Sequence, residues 1–375
     1  MPGHKYITDY PLLIVILVLV AIGIVMVYSA SFAIAEEKFD ETDYFLKKHV
    51  IRACIGLAVM SVLVKIDYRN IRKLSKIGLF CAIVLLVYLL VKRTVTVNGA
   101  MRWIDLGLIS FQPSELAKFA LVFYIADTLD RKQDKLDSFT DGYLPPLIIA
   151  AGVAILILVE PDFSSAVIIA IIAFMMLFLG KVRIHHLICT CIAALPIFAM
   201  ALYSSPYRLK RLLGFLNPGA DPLGDNYQIN QSLISLGSGG FFGVGIGHSK
   251  EKLLYLPEPF TDFIFSILGE EMGFIGTMFI LVLFFVILWR GLTIAYRAPD
   301  LYGSLLAAGI TLSIVIVAFI NIGVVCGMLP TTGLPIPFIS YGGSSLLLSL
   351  GACGVLLNIA KHQKVILIEN AKTAK

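Results

Sequence analysis

The chain has 375 residues, of which 58% are hydrophobic and 15% charged, and its formal net charge is +5. Soluble globular domains are about half apolar and a quarter charged, so this composition excludes an ordinary soluble protein. The basic residues form no stripe interleaved with aromatic side chains, which excludes a nucleic-acid partner.

Apolar segments follow one another along the chain, separated by polar connections, and each is a candidate membrane span. They are Leu12–Ser29, Ile51–Val64, Ile77–Val91, Leu116–Leu129, Leu144–Val159, Ser164–Leu179, Ile184–Tyr203, Phe263–Trp289, Leu305–Cys326 and Ser345–Ile359. A span needs about 20 residues, so the shorter segments must extend into their flanks or cross a locally thin bilayer. We predict an all-α, polytopic membrane protein of about ten transmembrane helices. The first segment is expected to be a retained helix rather than a signal peptide.

The distribution of Lys and Arg predicts the orientation, because cytoplasmic loops of membrane proteins carry an excess of both. Here the two termini and the even-numbered loops hold most of the basic residues. An even number of spans places the termini on one side, which we predict to be the cytoplasm. Residues 204–261 then form a large extracellular loop between helices 7 and 8 of a single membrane domain, residues 1–375.

The extracellular loop is too long for a simple connection, and loops of this length are usually functional or disordered. Its stretch Tyr227–Ser235 spaces polar side chains at helical intervals, which predicts a short amphipathic helix at the outer membrane interface. The glycine-rich run Gly237–Gly247 follows no predicted strand and lacks a dinucleotide fingerprint, so nucleotide binding is excluded.

Asp262 lies where this loop meets the eighth apolar segment. A carboxylate at the mouth of a membrane helix is costly to desolvate and indicates a functional site. The alternative is that Thr261 or Asp262 caps the first free N–H groups of the helix, and residue type alone leaves both open. Glu270 and Glu271 follow about two turns later and need partners in the bundle. Helical rotation leaves only Glu270 close enough in direction to share a cavity with Asp262.

Two further outward segments carry candidate residues. In Gln112–Lys118 we expect Ser114 to cap a helix on which Glu115 and Lys118 lie one turn apart. This pair is either a local ion pair at a helix end or a charged lining of a cavity. The second segment, Gly327–Ser345, is uncharged and dense in Pro, Gly and hydroxyl groups. Irregular backbone at membrane depth is tolerated only where it is buried or lines a cavity.

Several long motifs, occurring in a fixed order over nearly the whole chain, resemble the SEDS family (shape, elongation, division and sporulation proteins). These motifs are Asn98-Gly-Ala-Met-Arg-Trp-Ile104, Gln112-Pro-Ser-Glu-Leu-Ala-Lys118, Glu160-Pro-Asp162, Asp221-Pro-Leu-Gly224, Leu256-Pro-Glu-Pro-Phe-Thr-Asp-Phe-Ile-Phe-Ser266 and Pro337-Phe-Ile-Ser-Tyr-Gly-Gly-Ser-Ser345. Other stretches, such as Gly269-Glu-Glu271, are more similar to the division members than to the elongation members. The chain departs from the family at Phe260, where many members have His, and at Phe163-Ser-Ser165, which replaces Leu-Gly-Thr.

The resemblance implies a peptidoglycan glycosyltransferase that uses lipid II at the outer face of the bacterial cytoplasmic membrane. It places the family's essential aspartate at Asp262 and its charged pair at Glu115 and Lys118. Forming a β-1,4 glycan from an α-linked diphosphate donor inverts the sugar carbon and needs one base, for which Asp262 is the candidate. The diphosphate leaving group needs cations more than it needs a general acid.

The residues expected to contact the substrate or its diphosphate lie in the outward segments. They are Arg102, Glu115, Lys118, Arg208, Lys210, Arg211 and Ser344. A divalent cation, Mg²⁺ or Mn²⁺, stays open as a helper of the diphosphate, although no run of ligands indicates a metal site. The resemblance also implies a class B penicillin-binding protein as partner, together with other division proteins at the septum. The alternative functions are a flippase for the same lipid, an elongation-type polymerase and a non-catalytic scaffold.

Overall fold

The structure is a computed structural model that describes residues 9–92, 102–105, 110–217, 224, 226–253 and 255–363. Two of the family motifs, at residues 98–104 and 221–224, therefore lie partly outside the described residues. The α-helices are α1 (Tyr10–Phe39), α2 (Tyr44–Leu63), α3 (Tyr68–Arg72), α4 (Ser75–Lys92), α5 (Pro113–Arg131), α6 (Leu144–Val159), α7 (Phe163–Leu179), α8 (Ile184–Tyr203), α9 (Pro206–Leu216), α10 (Tyr227–Ser238), α11 (Ile264–Arg297), α12 (Leu301–Val325) and α13 (Gly343–Lys361). Strands β1 (Ile104–Asp105) and β2 (Ser110–Phe111) form a short antiparallel pair before α5.

Each predicted membrane span corresponds to a helix, namely α1, α2, α4 to α8 and α11 to α13. Among the described residues, seven helices are long and apolar enough to cross a membrane, and α7 is a shorter apolar helix. The remaining two, α2 and α5, carry charged residues near their starts, which lower their hydropathy. The prediction of an all-α, multi-pass membrane protein is confirmed.

The centre of the bundle is formed by α5, α12 and α13, which are buried along most of their length. Helix α13 packs along α2, and α12 packs against α11, α5 and α7. Glycines permit these close approaches; for example, a Cβ at Gly309 would lie 2.6 Å from a methyl group of Val122. By contrast, α8 leaves nearly all its apolar side chains uncovered, as expected for a helix that faces lipid.

Helices α5, α7, α11 and α13 begin at the same end of the bundle, here called the Asp262 face. Gln112, just before α5, links two of the other starts: its backbone N–H donates to Ser344 Oγ at 2.7 Å and its side chain donates to Asp162 Oδ2 at 3.3 Å. The N–H of Tyr341, before α13, donates to the carbonyl of Phe260, before α11, at 2.9 Å. Because helix N-termini carry partial positive charge, their convergence makes this face favourable for anions.

Helix α11 is broken near its start, where Gly273 adopts φ 66°. The loop segment Gly240–Gly245 fills the break. Two of its N–H groups donate to the carbonyls of Glu270 and Glu271 at 2.9 and 3.0 Å, and its first carbonyl accepts from the N–H of Phe274 at 3.0 Å. The broken helix and the loop thus satisfy each other's backbone groups, as polar backbone at membrane depth requires. The long loop is therefore tied to the bundle.

The predicted amphipathic helix in the loop is confirmed as α10, but its orientation differs from the expectation. Ser232 and Ser235 are buried, whereas Leu233 and Ile234 are exposed. Ser232 Oγ lies 2.7 Å from Ser266 Oγ and donates to the carbonyl of Val325 at 2.8 Å. The polar stripe therefore faces the bundle, because it supplies hydrogen bonds to the starts and ends of neighbouring helices. Periodicity located the helix but could not assign its buried face.

Candidate functional site

Asp262 does not cap helix α11. The helix begins at Ile264, its N-cap residue is Phe263, and no side chain there accepts a capping hydrogen bond. Asp262 is half-buried, and a Cβ built at Gly333 would lie 3.4 Å from Asp262 Oδ2. The carboxylate thus faces the loop between α12 and α13, where Gly333 (φ 72°) provides space for it. The capping alternative left open by the sequence is excluded.

The backbone around Asp262 is held by side chains from α12 and the loop that follows it. Asn321 Nδ2 donates both to the carbonyl of Asp262 at 2.8 Å and to that of Leu334 at 2.6 Å. Ser340 Oγ donates to the carbonyl of Thr261 at 2.6 Å. These bonds fix the position of Asp262 without using its carboxylate, so the carboxylate stays available for chemistry.

The surroundings shift the proton affinity of Asp262 towards neutrality. Burial, helped by the nearby Glu258 carboxylate, raises the pKa of Asp262 to about 7, while Arg211 and Arg102 act to lower it. A carboxylate with a pKa near the working pH is well suited to take a proton from a hydroxyl group. Close by, burial and Asp162 raise the pKa of Glu160 to about 8. For this motif the sequence favours a cap by Asp162, with cavity lining second, and Asp162 does cap α7 by accepting from the N–H of Ser165 at 3.2 Å.

The predicted cations Arg102, Arg208 and Arg211 do gather at the Asp262 face. Arg211 Nη1 donates to the carbonyl of Thr331 at 3.2 Å, in the loop that Asp262 faces. Arg102 lies 4.0 Å from Asp162. Burial and the Arg102 charge lower the pKa of Arg208, and the Arg208 guanidinium carbon lies 5.2 Å from the centre of the Phe163 ring, next to Asp162 in the chain. Like charges held this closely favour an anion between them. Lys210, also on α9, is exposed.

Glu115 and Lys118 form the predicted pair, with Lys118 Nζ 2.8 Å from Glu115 Oε2, and both are buried. They line an enclosed cavity of about 10 Å³, roughly the space of one water molecule. Leu334 also lines this cavity. The Asn321 side-chain amide donates to the backbone carbonyls of both Leu334 and Asp262. The pair is therefore buried next to the segment that holds the Asp262 backbone.

Two expectations around the start of α5 need correction or refinement. Ser114 is not the cap, because α5 begins at Pro113 with Gln112 as N-cap, and the enclosed Ser114 hydroxyl has no hydrogen-bond partner among the residues that the structure describes. Ser344 is buried and its hydroxyl is used internally, accepting from the Gln112 N–H and donating to the carbonyl of Ser110 at 3.0 Å. Substrate contact by Ser344 stays a prediction.

Glu270 and Glu271 do not join the Asp262 site. Glu271 pairs with Lys252 at 2.7 Å and accepts from Ser29 Oγ at 2.6 Å, and all three side chains are buried. Glu270 accepts from Ser249 Oγ at 2.5 Å. Both carboxylates thus hold the long loop against α1 and α11. Their partners come from a loop with no helical periodicity, so sequence spacing could not identify them.

The described residues do not form a protein-only metal site. Nowhere in the ranges that the structure describes do three or more His, Cys, Asp or Glu side chains converge in a way that could hold an ion. The described part of the site offers a carboxylate and several guanidinium groups. A divalent cation stays an untested expectation.

Fold and site together define the class: a polytopic membrane protein with a poised carboxylate beneath a cation-rich face that favours anionic ligands. The chain belongs to the FtsW/RodA/SpoVE family of cell cycle proteins, whose family model matches residues 10–365. It is 44% identical to stage V sporulation protein E of Bacillus subtilis, covering 97% of this chain and 100% of that protein. It is 43% identical to the protein named Probable peptidoglycan glycosyltransferase FtsW of Trichlorobacter lovleyi, covering 95% and 94%.

Solved structures show the same fold. A chain from a peptidoglycan synthase complex, described as coordinating polymerization and crosslinking, superposes with TM-score 0.78 at 28% identity and covers 96% of this chain and 99% of that one. The rod shape determining protein RodA of Thermus thermophilus superposes with TM-score 0.71 at 26% identity, covering 96% and 99%. The predicted family, with its greater similarity to division members, is confirmed.

Proposed function

We propose that this protein polymerises peptidoglycan by joining lipid II units into β-1,4 glycan strands at the outer face of the cytoplasmic membrane, for septal wall synthesis. The chain is a peptidoglycan glycosyltransferase, as the names of its relatives indicate. The observation that carries the proposal is the half-buried Asp262, which caps no helix and whose pKa lies near 7 beside Arg102 and Arg211.

The reaction follows from this arrangement. The Asp262 carboxylate takes the proton of an acceptor sugar hydroxyl as that oxygen attacks the anomeric carbon of the donor. The bond from this carbon to the diphosphate oxygen breaks on the opposite face, and the diphosphate leaves with the electron pair. Arg102, Arg208 and Arg211, together with the converging helix N-termini, stabilise the charge that develops on it. The Glu115–Lys118 pair supports the floor of the site from below.

The polyprenyl tails need an apolar path beside the site. A crevice of about 260 Å³ runs between α2, α4, α5 and α13 and is lined almost entirely by apolar side chains such as Leu116, Phe119, Phe123 and Leu348. Small-molecule sites are commonly concave and apolar in this way. The crevice runs along α5, and α5 begins at the Asp262 face. A polyprenyl tail in the crevice would therefore extend away from a headgroup bound near Asp262.

The partner is a class B penicillin-binding protein that crosslinks the new strands, with other division proteins at the septum. Support comes from the similarity to a chain of a peptidoglycan synthase complex. Both termini lie in the cytoplasm and Asp262 lies outside in this proposal, which the excess of Lys and Arg in the termini and even-numbered loops supports. Residues 1–375 act as one membrane domain.

The test is polymer formation from lipid II by the purified chain with its partner, resolved on a gel. Asp262→Asn is expected to abolish polymer while the protein stays folded and inserted, and Lys118→Ala to reduce it strongly. Asp137→Asn is the matched control, because Asp137 lies at the other end of the bundle with 77% of its side chain exposed. Equal polymer from all four proteins would refute the site assignment. Lipid translocation without polymer by the wild type would favour the flippase.

A further inference from the structure

Helix α2 carries two buried basic side chains that the Asp262 site does not use. His49 is 0% exposed and Arg52 is 5% exposed. Within the described part of the chain, both ring nitrogens of His49 and the Nε and Nη1 atoms of Arg52 have no hydrogen-bond partner. A buried, unpaired guanidinium group is strongly unfavourable unless something satisfies it.

Arg52 lies against the start of α13, and this position makes a guanidinium group without a hydrogen-bond partner still less favourable. A Cβ built at Gly343, the first residue of α13, would lie 3.4 Å from both Cζ and Nε of Arg52. The N-cap residue, Gly342, provides no side chain to cap the N–H groups of this 19-residue helix. A helix N-terminus carries partial positive charge, so the guanidinium group and the helix repel each other.

Tyr341 fixes the orientation of this pair of basic groups. The guanidinium carbon of Arg52 lies 4.8 Å from the centre of the Tyr341 ring, and the His49 ring lies 6.0 Å from it. A guanidinium group stacked on an aromatic face keeps its N–H edge available for a planar or tetrahedral anion. Tyr341 is itself tied to Phe260, two residues before Asp262, by the hydrogen bond of 2.9 Å.

We propose that His49, Arg52 and the N-terminus of α13 form a second phosphate-binding site, which takes the diphosphate of a lipid-linked ligand. An anion there would satisfy the guanidinium group, cap the helix and neutralise the repulsion between them. A lipid-linked diphosphate fits this site because Ile51 and Ile55, which precede and follow Arg52 in the chain, are exposed, as on a helix that faces the membrane. Free phosphate would have no reason to reach this depth.

The assignment of the ligand rests on the proposed function. Polymerisation joins two lipid-linked units, so two diphosphate groups must be held at once, and the cations around Asp262 account for one. Gln112 connects the two sites, since its N–H bonds Ser344 at the start of α13 and its side chain bonds Asp162 near Arg102. The His49–Arg52 site therefore positions the second lipid-linked unit rather than taking part in proton transfer.

The experiment measures binding of polyprenyl diphosphate to the full chain in nanodiscs, by native mass spectrometry and by titration. Wild type is expected to bind two molecules per chain. Arg52→Gln is expected to weaken one of the two by about 10- to 100-fold, the effect of losing hydrogen bonds to a charged group. His49→Phe should weaken the same site with Arg52 intact, because it removes both unpartnered ring nitrogens while keeping an aromatic ring at this position. Lys47→Gln, on the same helix but exposed, is the matched control and should bind like wild type.

Separate arms identify the source of the phosphate. Inorganic pyrophosphate is expected to bind weakly, and phosphatidylglycerol is expected not to compete. If phosphatidylglycerol competes at the Arg52-dependent site, the site is for a phospholipid headgroup and the proposal is overturned. It is equally overturned if Arg52→Gln and His49→Phe, both folded by thermal unfolding, still bind two molecules with wild-type affinity. This experiment measures binding and not polymer formation, so its result is independent of the test of the proposed function. Asp262→Asn should still bind two molecules of polyprenyl diphosphate.

Discussion

The buried ion pair between Lys252 and Glu271 gives the sharpest test of how the long loop is held. Lys252→Met removes the ammonium group, whose Nζ lies 2.7 Å from Glu271 Oε1 and 3.0 Å from Ser29 Oγ. Both charged side chains are at most 1% exposed, so the remaining carboxylate is left in a dry environment. Breaking a buried pair in this way costs about 3–5 kcal/mol. Ser29 still donates to Glu271, so we expect the lower end, about 3 kcal/mol.

The assay is the free energy of unfolding by denaturant in detergent micelles, measured as a double-mutant cycle. The double variant Lys252→Met/Glu271→Leu should recover to within about 1 kcal/mol of wild type, because buried pairs often gain little over apolar replacements. Lys47→Met is the matched control, as Lys47 pairs with Glu41 and Asp43 at an exposed position, where such pairs contribute little to stability. A Lys252→Met loss no larger than this control, or a double variant whose loss equals the sum of the single ones, would refute the reasoning.

Four further predictions concern the Asp262 face. Polymerisation should fall about tenfold per pH unit below pH 7, because the raised pKa of Asp262 leaves the base protonated there; a flat profile from pH 5 to 8 would contradict this. Because the folded-state pKa lies above the usual value, the charged carboxylate lowers stability as pH rises through about 4 to 7, so Asp262→Asn should unfold at a higher temperature than wild type at pH 8. Gly333→Ala should reduce polymerisation and lower the free energy of unfolding by about 1–2 kcal/mol in a denaturant titration. The reasons are that Gly333 has φ 72° and that the added Cβ would contact Asp262 Oδ2. Wild-type activity and stability in this variant would show that the carboxylate lies elsewhere. Arg211→Gln should lower kcat/KM for lipid II by about 10- to 100-fold, whereas Arg183→Gln, at the opposite end of the bundle, should not; equal values would remove Arg211 from the site.

The presence and position of the membrane helices were predictable from the sequence because both depend on local chemistry. Each apolar segment became a helix, since a chain in lipid must satisfy its backbone groups within the segment. The Glu115–Lys118 pair was predictable for the same reason, because residues one helical turn apart are neighbours on any helix. The capping expectations failed at Ser114 and were excluded at Asp262, because the exact helix start depends on how the preceding loop packs.

The sequence by itself determined the membrane class, the helices and the residue types able to do the chemistry. Only the tertiary structure decided which of those residues meet. Ser29 and Glu271 are 242 positions apart, and Gln112 and Ser344 are 232 apart. Arg52 lies beside Gly343 at the start of α13, although the two residues are far apart in the sequence. Such pairings depend on burial and on the relative placement of whole helices, which no local period in the chain encodes.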